Sequence, residues 1–324
     1  MKAEMNRTEL APIILFVYRR LDHAMEVIDA LRANPEAADS RLLVFSDGGK
    51  DEQSWEEVRQ VREYLHSVDG FAQVEIVERE ENWGIERSEI EGIGSVVGKY
   101  GKVIVLEDDI VVSKFFLRFV NDALDRYASC KNVCSVTGYS FIPAGEHGSL
   151  PEYAFTQLTS AWGWGTWKDR WDRFAGQLER RDFQALLSRA NRRRFDHGYS
   201  YTGMMASQYR RGHVTWDILW YWTAFRNGWV TLFPTRTMVN NIGMDGSGEH
   251  YTDVSGSNRI ESLDEKRSLL LPDEIRERPE VRQRITQQLE RIAAPGSKAA
   301  RRKAELRTWL LLLYGWVKSS AKRS

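Results

Sequence analysis

The sequence predicts an α/β protein with a mixed, mainly parallel sheet flanked by helices and a helical extension at the C-terminus. Apolar runs typical of strands alternate with amphipathic helical patterns over residues 12–109, as in right-handed β-α-β units. Polar clusters follow these predicted strands, and ligands of such sheets bind beyond the carboxyl ends of the strands. Residues 254–324 are polar and helical in pattern, which predicts the extension.

Each predicted element has its own local signal. Residues 12–18 form a continuous apolar run, typical of a strand that is buried on both faces. The helix that follows has apolar residues at helical spacing, with Asp22 as the predicted N-cap. Further strands are predicted at 41–49, 72–80, 102–109 and 133–143, and helices at 22–33, 51–68, 84–100 and 114–129.

The composition limits the class of partner. The 324 residues include 46 Lys+Arg and 46 Asp+Glu, so the net charge is zero and nothing global indicates nucleic acid. Cys130 and Cys134 have no partners that complete a zinc site, so we interpret both as reduced residues of a cytosolic protein. The first apolar run is too short for a signal peptide, and none reaches the roughly 20 residues of a membrane span.

Glu107, Asp108 and Asp109 follow directly on a predicted buried strand, where like charges repel one another. A divalent cation would offset this repulsion, because Mn²⁺ or Mg²⁺ takes oxygen ligands and leaves sites for water and phosphate. The alternative is an acidic turn in which Asp109 caps the next segment. The position after the fourth strand of an alternating pattern favours the metal site.

Motifs in this order resemble the GT-A-fold nucleotide-sugar glycosyltransferases, most of all the N-acetylglucosaminyltransferase I-like family. They are a first strand ending in Arg, a second ending in Asp-Gly, NWGI, Glu-Asp-Asp, GWGTWKDRW and WDILWYWTAFRNGWVTLFPTRTMVNNIG. NWGIERSEIEGIG is also similar to the family 2 glycosyltransferases. The resemblance covers roughly residues 11–252. It implies a GT-A catalytic domain at 11–253, with a nucleotide-binding half (11–112) and an acceptor half (113–253).

The resemblance also implies roles for single residues. Asp109 would be the direct metal ligand, Asp108 would contact the donor ribose or sugar, and Glu107 would face the sugar or uracil. Arg19 matches the Arg that approaches the donor diphosphate, and Asp47 matches the Asp that hydrogen-bonds the base. The stretch Ser-Asp-Gly-Gly around Asp47 also fits a simple turn.

Two further residues are candidates for donor or metal binding. Arg87, in the first turn of the third predicted helix, could pair with phosphate or with a nearby surface acid. His250, in a Gly/Ser-rich loop, could ligate the metal, with Asp245 and Glu249 as competitors and solvent exposure as the alternative. Such a loop could order over the donor and exclude water.

Asp217 is the candidate general base, since transfer to a hydroxyl with inversion needs a carboxylate that accepts the proton. Apolar neighbours such as Trp216 and Leu219 predict a dry setting and a raised pKa. The resemblance supports the role, although Ile218 stands where that family has a second acid. The alternative role for Asp217 is the N-cap of the following helix.

The segment SAWGWGTW places Trp162 and Trp164 among small residues. Flat indole faces can stack on a sugar, and small neighbours let the sugar come close. The alternative is a tight turn in the protein core.

The C-terminal segment is strongly basic. From Lys298 onward, eight basic residues accompany a single acid, Glu305, and they flank the apolar stretch TWLLLLYGWV. This pattern predicts a helix that lies on an anionic membrane surface with Trp309 and Trp316 at headgroup depth. The alternative is a helix that docks on the globular domain.

Together these features predict a cytoplasmic enzyme, peripheral on the inner face of the plasma membrane. It would be an inverting hexosyl- or N-acetylhexosaminyltransferase of polysaccharide biosynthesis, using a UDP-sugar with Mn²⁺ or Mg²⁺ and a glycan or lipid-linked glycan acceptor. One alternative is a sugar-phosphate nucleotidyltransferase, whose usual Gly-rich loop is missing from YRRLDH. The other is a non-catalytic carbohydrate-binding relative.

Overall fold

The computed structural model describes residues 9–245, 270–293 and 298–321. A central sheet holds eight strands: β1 (Ile13–Val17), β2 (Arg41–Ser46), β3 (Gln73–Glu78), β4 (Lys102–Glu107), β6 (Val133–Thr137), β7 (Tyr153–Thr156), β8 (Trp164–Trp167) and β9 (Val230–Pro234). A separate antiparallel pair is formed by β5 (Ile110–Val112) and β10 (Val239–Asn241). The strand order in the large sheet is β3-β2-β1-β4-β8-β6-β9-β7.

Six of the eight strands run in the same direction. β1 pairs in parallel with β2 and β4, β2 pairs in parallel with β3, and β6 pairs in parallel with β9. β8 lies antiparallel between β4 and β6, and β7 is an antiparallel edge strand. The mixed, mainly parallel sheet predicted from the sequence is therefore confirmed.

Helices cover both faces of this sheet and continue into the C-terminal extension. They are α1 (Leu21–Arg32), α2 (Glu52–Leu65), α3 (Gly84–Tyr100), α4 (Phe116–Arg126), α5 (Lys168–Trp171), α6 (Arg180–Leu187), α7 (Arg189–Asp196), α8 (Tyr201–Arg211), α9 (Trp216–Arg226), α10 (Pro279–Ile292) and α11 (Lys298–Ala321). The N-cap of α1 is Arg20, so the prediction of Asp22 as the N-cap is wrong and Asp22 lies in the first turn. This two-residue difference places Arg20 at the start of α1, three residues after the end of β1.

The alternation of side chains along β1 divides the core between the two faces of the sheet. Ile13, Leu15 and Val17 pack on the face covered by α1 and α4. Ile14 and Phe16 pack on the opposite face, against α3. None of the five side chains is more than 4% exposed. β1 is therefore buried on both faces, as its continuous apolar run predicts.

The C-terminal helix α11 docks on α6 and α8. Leu311 and Leu312 are buried with Phe183 of α6 in one apolar cluster. Gly315 permits the close contact, because a Cβ atom there would lie 2.3 Å from the Phe183 ring. The docked arrangement, which the sequence leaves open as an alternative, is thus present.

Trp316 turns toward the docked side of α11. It packs against the same apolar cluster, and the guanidinium of Arg180 lies 4.2 Å from the centroid of its ring. Trp316 is thus half-buried, and the expectation that it lies with Trp309 at a membrane surface stays a prediction. Only Trp309 keeps a large exposed area, at 42%.

Other expectations about the whole chain can be compared with the described residues. Both cysteines are free, in agreement with the predicted reduced state. None of the helices in the described ranges combines the length and apolar character that a bilayer-spanning segment needs. The predicted domain boundary at 253–254 falls within 246–269, which is outside the described residues.

Candidate active site

The carboxyl ends of β1, β2 and β4 lie side by side, since β1 pairs in parallel with both neighbours. Phe16 of β1 is in register with Glu107 of β4, and Val17 of β1 is in register with Ser46 of β2. The residues that follow the three strands therefore share one edge of the sheet. This is the edge at which parallel α/β sheets bind their ligands.

Arg20 forms ion pairs with both Asp108 and Asp109 at this edge. Its Nη2 contacts Asp108 Oδ1 closely and lies 2.8 Å from Asp109 Oδ2. The backbone N–H of Tyr18 also donates to Asp108 Oδ2, at 3.4 Å. Although burial lowers the pKa of Arg20, the two carboxylates together raise it above its ordinary value. Arg20, which the sequence analysis did not select, therefore offsets the repulsion within the acidic triplet.

Arg19 occupies a different environment from its neighbour. Its Nη1 lies 3.2 Å from Glu57 Oε2 of α2, and 39% of its side chain is exposed. The sequence YRR offers two arginines after the first strand, and only the packing of α1 determines which one turns inward. The proposed contact of Arg19 with the donor diphosphate stays a prediction.

Asp109 has the features expected of a cation ligand. Its Oδ1 atom is buried without a hydrogen-bond partner among the described residues. Gly243 lies against the same carboxylate, because a Cβ atom at that position would be 2.2 Å from Asp109 Oδ2. An oxygen that is free to accept fits a hard cation such as Mn²⁺ or Mg²⁺, which often takes one or two protein carboxylates and fills its other sites with phosphate and water.

A metal site at Asp109 would be an open one within the described part of the chain. The described residues include no cluster of three or more His, Cys, Asp or Glu side chains that could enclose a metal by themselves. His250, predicted as a second ligand, lies outside the described residues. Its competitor Asp245 lies 3.4 Å from His23 Nε2. The residues present thus fit an open site that a diphosphate would complete.

Asp47 ties together the loops that follow β2 and β3. Its carboxylate accepts the backbone N–H groups of Gly48 at 3.0 Å, Trp83 at 2.8 Å and Gly84 at 2.8 Å. Glycine is required at position 48, since a Cβ atom would lie 2.5 Å from the backbone of Glu81. A carboxylate has about four acceptor positions, so one remains for a base N–H. The contact of Asp47 with the donor base stays a prediction.

Trp83 is held between two arginines at the start of α3. The guanidinium carbons of Arg79 and Arg87 lie 3.6 Å and 3.8 Å from the centroid of its ring. Two guanidinium groups at these distances would clash on one face, so the indole lies between them, in an arrangement that cation–π attraction favours. Burial and, to a lesser degree, Arg87 lower the pKa of Arg79. Two cations thus stand beside the Asp47 loop, where the predicted phosphate contact of Arg87 would be made.

Glu89 on α3 and Glu107 on β4 belong to a buried group of carboxylates. Burial first, and then the charge of Glu107, raise the pKa of Glu89 well above its ordinary value. Burial first, and then Asp109 and Asp108, raise the pKa of Glu107 in the same way. The charge of Asp217 adds to both increases. The acidic triplet and the candidate base therefore share one electrostatic cluster, which Glu89 joins from a position the sequence did not reveal.

Packing of tryptophan side chains positions α9 over the sheet. The ring centroids of Trp216 and Trp220 lie 5.8 Å and 5.9 Å from that of Trp164 in β8. Trp164 is in register with Val105 of β4, two residues before Glu107. The N-terminus of α9 is therefore anchored near the acidic end of β4. Trp164 itself has no exposed surface, so the predicted sugar contact is corrected to a core role.

Asp217 is exposed, whereas Trp216, Ile218 and Leu219 turn into the core. The prediction of a dry setting for this carboxylate is therefore wrong. The physical reason is its place in the first turn of α9 beside an open cleft, since Trp220 and Tyr221 on the same side of the helix are buried. The N-cap of α9 is Thr215, so the alternative role of Asp217 as the cap is also excluded.

A cleft opens beside Asp217. It is lined by residues 158–161, by Tyr201 and Met204 of α8, and by Asp217 and its neighbours on α9. Trp162 follows this lining directly, is half-buried, and packs edge-on against Tyr139 at 4.9 Å between ring centroids. Its contact with a sugar stays a prediction.

Comparisons with known proteins give only loose structural overlaps. No family model and no curated protein matches the chain. A crystal structure of S. aureus TarS 1-349 overlaps 70% of this chain and 59% of that fragment, with 12% identity and a TM-score of 0.38. The mannosyltransferase PcManGT from Pyrobaculum calidifontis, in complex with GDP-Man and Mn²⁺, overlaps 98% of this chain and 89% of its own, also with 12% identity and a TM-score of 0.38. Overlaps this loose carry no argument about activity.

Gly243→Ala should weaken the binding of Mn²⁺, because the new Cβ atom would displace the Asp109 carboxylate. We expect a loss of about tenfold or more in affinity, as is usual when a ligand's support is disturbed. Isothermal titration with Mn²⁺ in the presence of UDP measures it. Gly98→Ala is the matched control, since a Cβ atom there meets nothing within 4 Å. Equal affinities of the two variants would contradict the assigned position of Asp109.

Glu89→Gln should remove part of the pH dependence of stability. The folded state holds a proton on Glu89 at pH values where the unfolded chain has lost it, so stability falls as pH rises through the window above the unfolded pKa. The slope that one such group contributes is at most about 1.4 kcal/mol per pH unit. Urea unfolding of wild type, Glu89→Gln and the exposed control Glu91→Gln across the neutral range measures it. An unchanged slope in Glu89→Gln would show that Glu89 is ionised when folded.

Proposed function

We propose that this chain is a metal-dependent glycosyltransferase of the GT-A type. It would transfer a sugar from a nucleotide-diphosphate sugar to a hydroxyl of a glycan or lipid-linked glycan. The donor that we propose is a UDP-sugar. The observation that carries the proposal is the position of Asp109. Its free carboxylate oxygen lies at the binding edge of the sheet, in one electrostatic cluster with Asp217, and Asp217 borders an open cleft.

The donor would lie along the edge formed by the loops after β1, β2 and β3. Asp47 would hydrogen-bond the base, Asp108 the ribose or sugar, and Arg87 the diphosphate. Asp109 would hold Mn²⁺ or Mg²⁺, which supplies charge neutralisation for the departing diphosphate. Arg20 and Arg79 would add positive charge to the same region.

The acceptor would enter the cleft beside Asp217. Its hydroxyl proton would pass to the Asp217 carboxylate as the oxygen forms a bond to the anomeric carbon. The bond from that carbon to the diphosphate would break in the same step, and the diphosphate would leave with the electron pair. A single displacement of this kind inverts the anomeric configuration. Exposure of Asp217 is compatible with the role, since the base must meet an incoming substrate.

The connection between β1 and α1 disfavours a nucleotidyltransferase. It consists of residues 18–20 and has no glycine, and α1 begins at Leu21. So short a turn leaves no glycine-rich loop whose N–H groups could surround a triphosphate.

Metal-dependent nucleotide binding is the first test. UDP with Mn²⁺ should raise the melting temperature, because a ligand that binds only the folded state stabilises it. Asp109→Ala should lose the Mn²⁺-dependent part of the increase and about 10² or more of sugar transfer or UDP-sugar hydrolysis. Asp69→Ala, on a side chain that is 89% exposed, is the control. Absence of any nucleotide effect would favour a non-catalytic relative, and pyrophosphate release from a nucleoside triphosphate would favour a nucleotidyltransferase.

Asp217→Asn tests the assignment of the base. The amide keeps the shape of the side chain but takes up no proton, so kcat should fall by about 10² to 10⁴. The melting-temperature increase with UDP and Mn²⁺ should remain, since donor binding does not use Asp217. Steady-state kinetics compares kcat of Asp217→Asn with that of wild type, on the same sugar donor that is used to test Asp109→Ala. Full activity of Asp217→Asn would remove Asp217 from the mechanism.

A further inference from the structure

The outward side of α11 carries an unusual concentration of exposed apolar side chains. Of the nine large apolar residues that are notably exposed within the described ranges, five belong to this helix. They are Leu306 (59%), Trp309 (42%), Leu310 (54%), Tyr314 (42%) and Val317 (61%). We call these five residues the outer stripe. A soluble surface rarely gathers apolar side chains in this way without a binding role.

The outer stripe forms one continuous face of the helix. Its members follow one another at intervals of three, one, four and three residues, which keeps them on one side of a helix with 3.6 residues per turn. Leu312 and Gly315, which make the docking contact with α6, lie on the other side. The helix therefore has two apolar faces, of which the docked one is covered by the domain.

Positive charge borders the outer stripe. Arg302, Lys303, Arg307 and Lys318 are exposed along or beside it. Glu305, the one acid of the segment, is also exposed and lies one helical turn before Trp309, at the edge of the stripe. A chain with zero net charge thus concentrates cations around the outer stripe. A second copy of this chain would present the same cations, and their mutual repulsion disfavours self-association through the stripe.

We propose that the outer stripe binds an anionic lipid surface, with α11 lying parallel to the bilayer. The apolar side chains would enter the boundary between headgroups and acyl chains, while Arg307, Lys318 and their neighbours meet lipid phosphates. Because α11 is already helical and docked on α6 and α8, it binds without a folding cost. The same docking would hold the sheet and its binding edge at a fixed orientation to the membrane.

Flotation of the full chain with lipid vesicles tests the proposal. Wild type should float with vesicles of phosphatidylcholine and phosphatidylglycerol, and much less with phosphatidylcholine alone. Leu306→Ser combined with Leu310→Ser should lower the partition coefficient by about tenfold or more. Arg307→Gln combined with Lys318→Gln should lower it by roughly an order of magnitude on anionic vesicles only.

Ile292→Ser is the matched control for the apolar variant. Ile292 of α10 is 59% exposed, the same value as Leu306, but it lies outside the stripe, so its replacement should leave flotation unchanged. Melting curves check folding, which these surface changes should not disturb. Lack of binding to anionic vesicles, or equal binding by wild type and the Leu306/Leu310 variant, would overturn the proposal. A dimer in light scattering that the Leu310 change dissociates, without flotation, would assign the stripe to a second copy instead.

Discussion

The ion pairs of Arg20 with Asp108 and Asp109 are the interaction on which the binding edge depends. Without a positive charge from the β1–α1 turn, consecutive carboxylates at a buried strand end would repel one another strongly. Burial favours the protonated form of Glu107, which reduces the repulsion further. Arg20 uses Oδ2 of Asp109 and leaves Oδ1 of the same carboxylate without a partner, so a cation held there would add a second positive charge to the pair.

Two helices transmit the geometry of the core to this edge. α3 begins at the hydrogen bonds of Asp47 and then directs Glu89 inward to the carboxylate cluster. α9 is fixed by the tryptophan contacts of Trp216 and Trp220, which leave Asp217 on the solvent side. The proposed donor and acceptor sides are thus supported by the same face of the sheet. A change in that core would be expected to move both.

The sequence predicts well what depends on local pattern. The alternation of strand and helix, the burial of β1 on both faces and the acids after β4 all follow from periodicity and turn chemistry. The sequence predicts poorly those features that depend on contacts between distant segments. The inward turn of Arg20, the approach of Gly243 to Asp109 and the burial of Glu89 arise from packing across many residues.

The burial of the aromatic residues is also difficult to predict from the local sequence. A tryptophan beside glycine suits a sugar site and a core equally well, and only the register of β8 against β4 decides that Trp164 is covered. The exposure of Asp217 in an otherwise largely buried helix depends on the open cleft beside it, which no local pattern encodes. Trp316 packs partly against an apolar cluster built from distant segments and against Arg180 of α6, which no local pattern encodes.

The position of α8 has a consequence for how substrates would meet. Tyr201 and Met204 of this helix line the cleft, while its Gly203 faces Thr308 of α11, 2.9 Å from where a Cβ atom would stand. A single helix, about 10 Å across, therefore separates the cleft from the helix that bears the outer stripe. An acceptor anchored in lipid could reach the cleft while still diffusing in the membrane plane. The enzyme would then meet the acceptor by diffusion in two dimensions. The effective concentration of the acceptor would depend on its surface density in the membrane rather than on the volume of the cell.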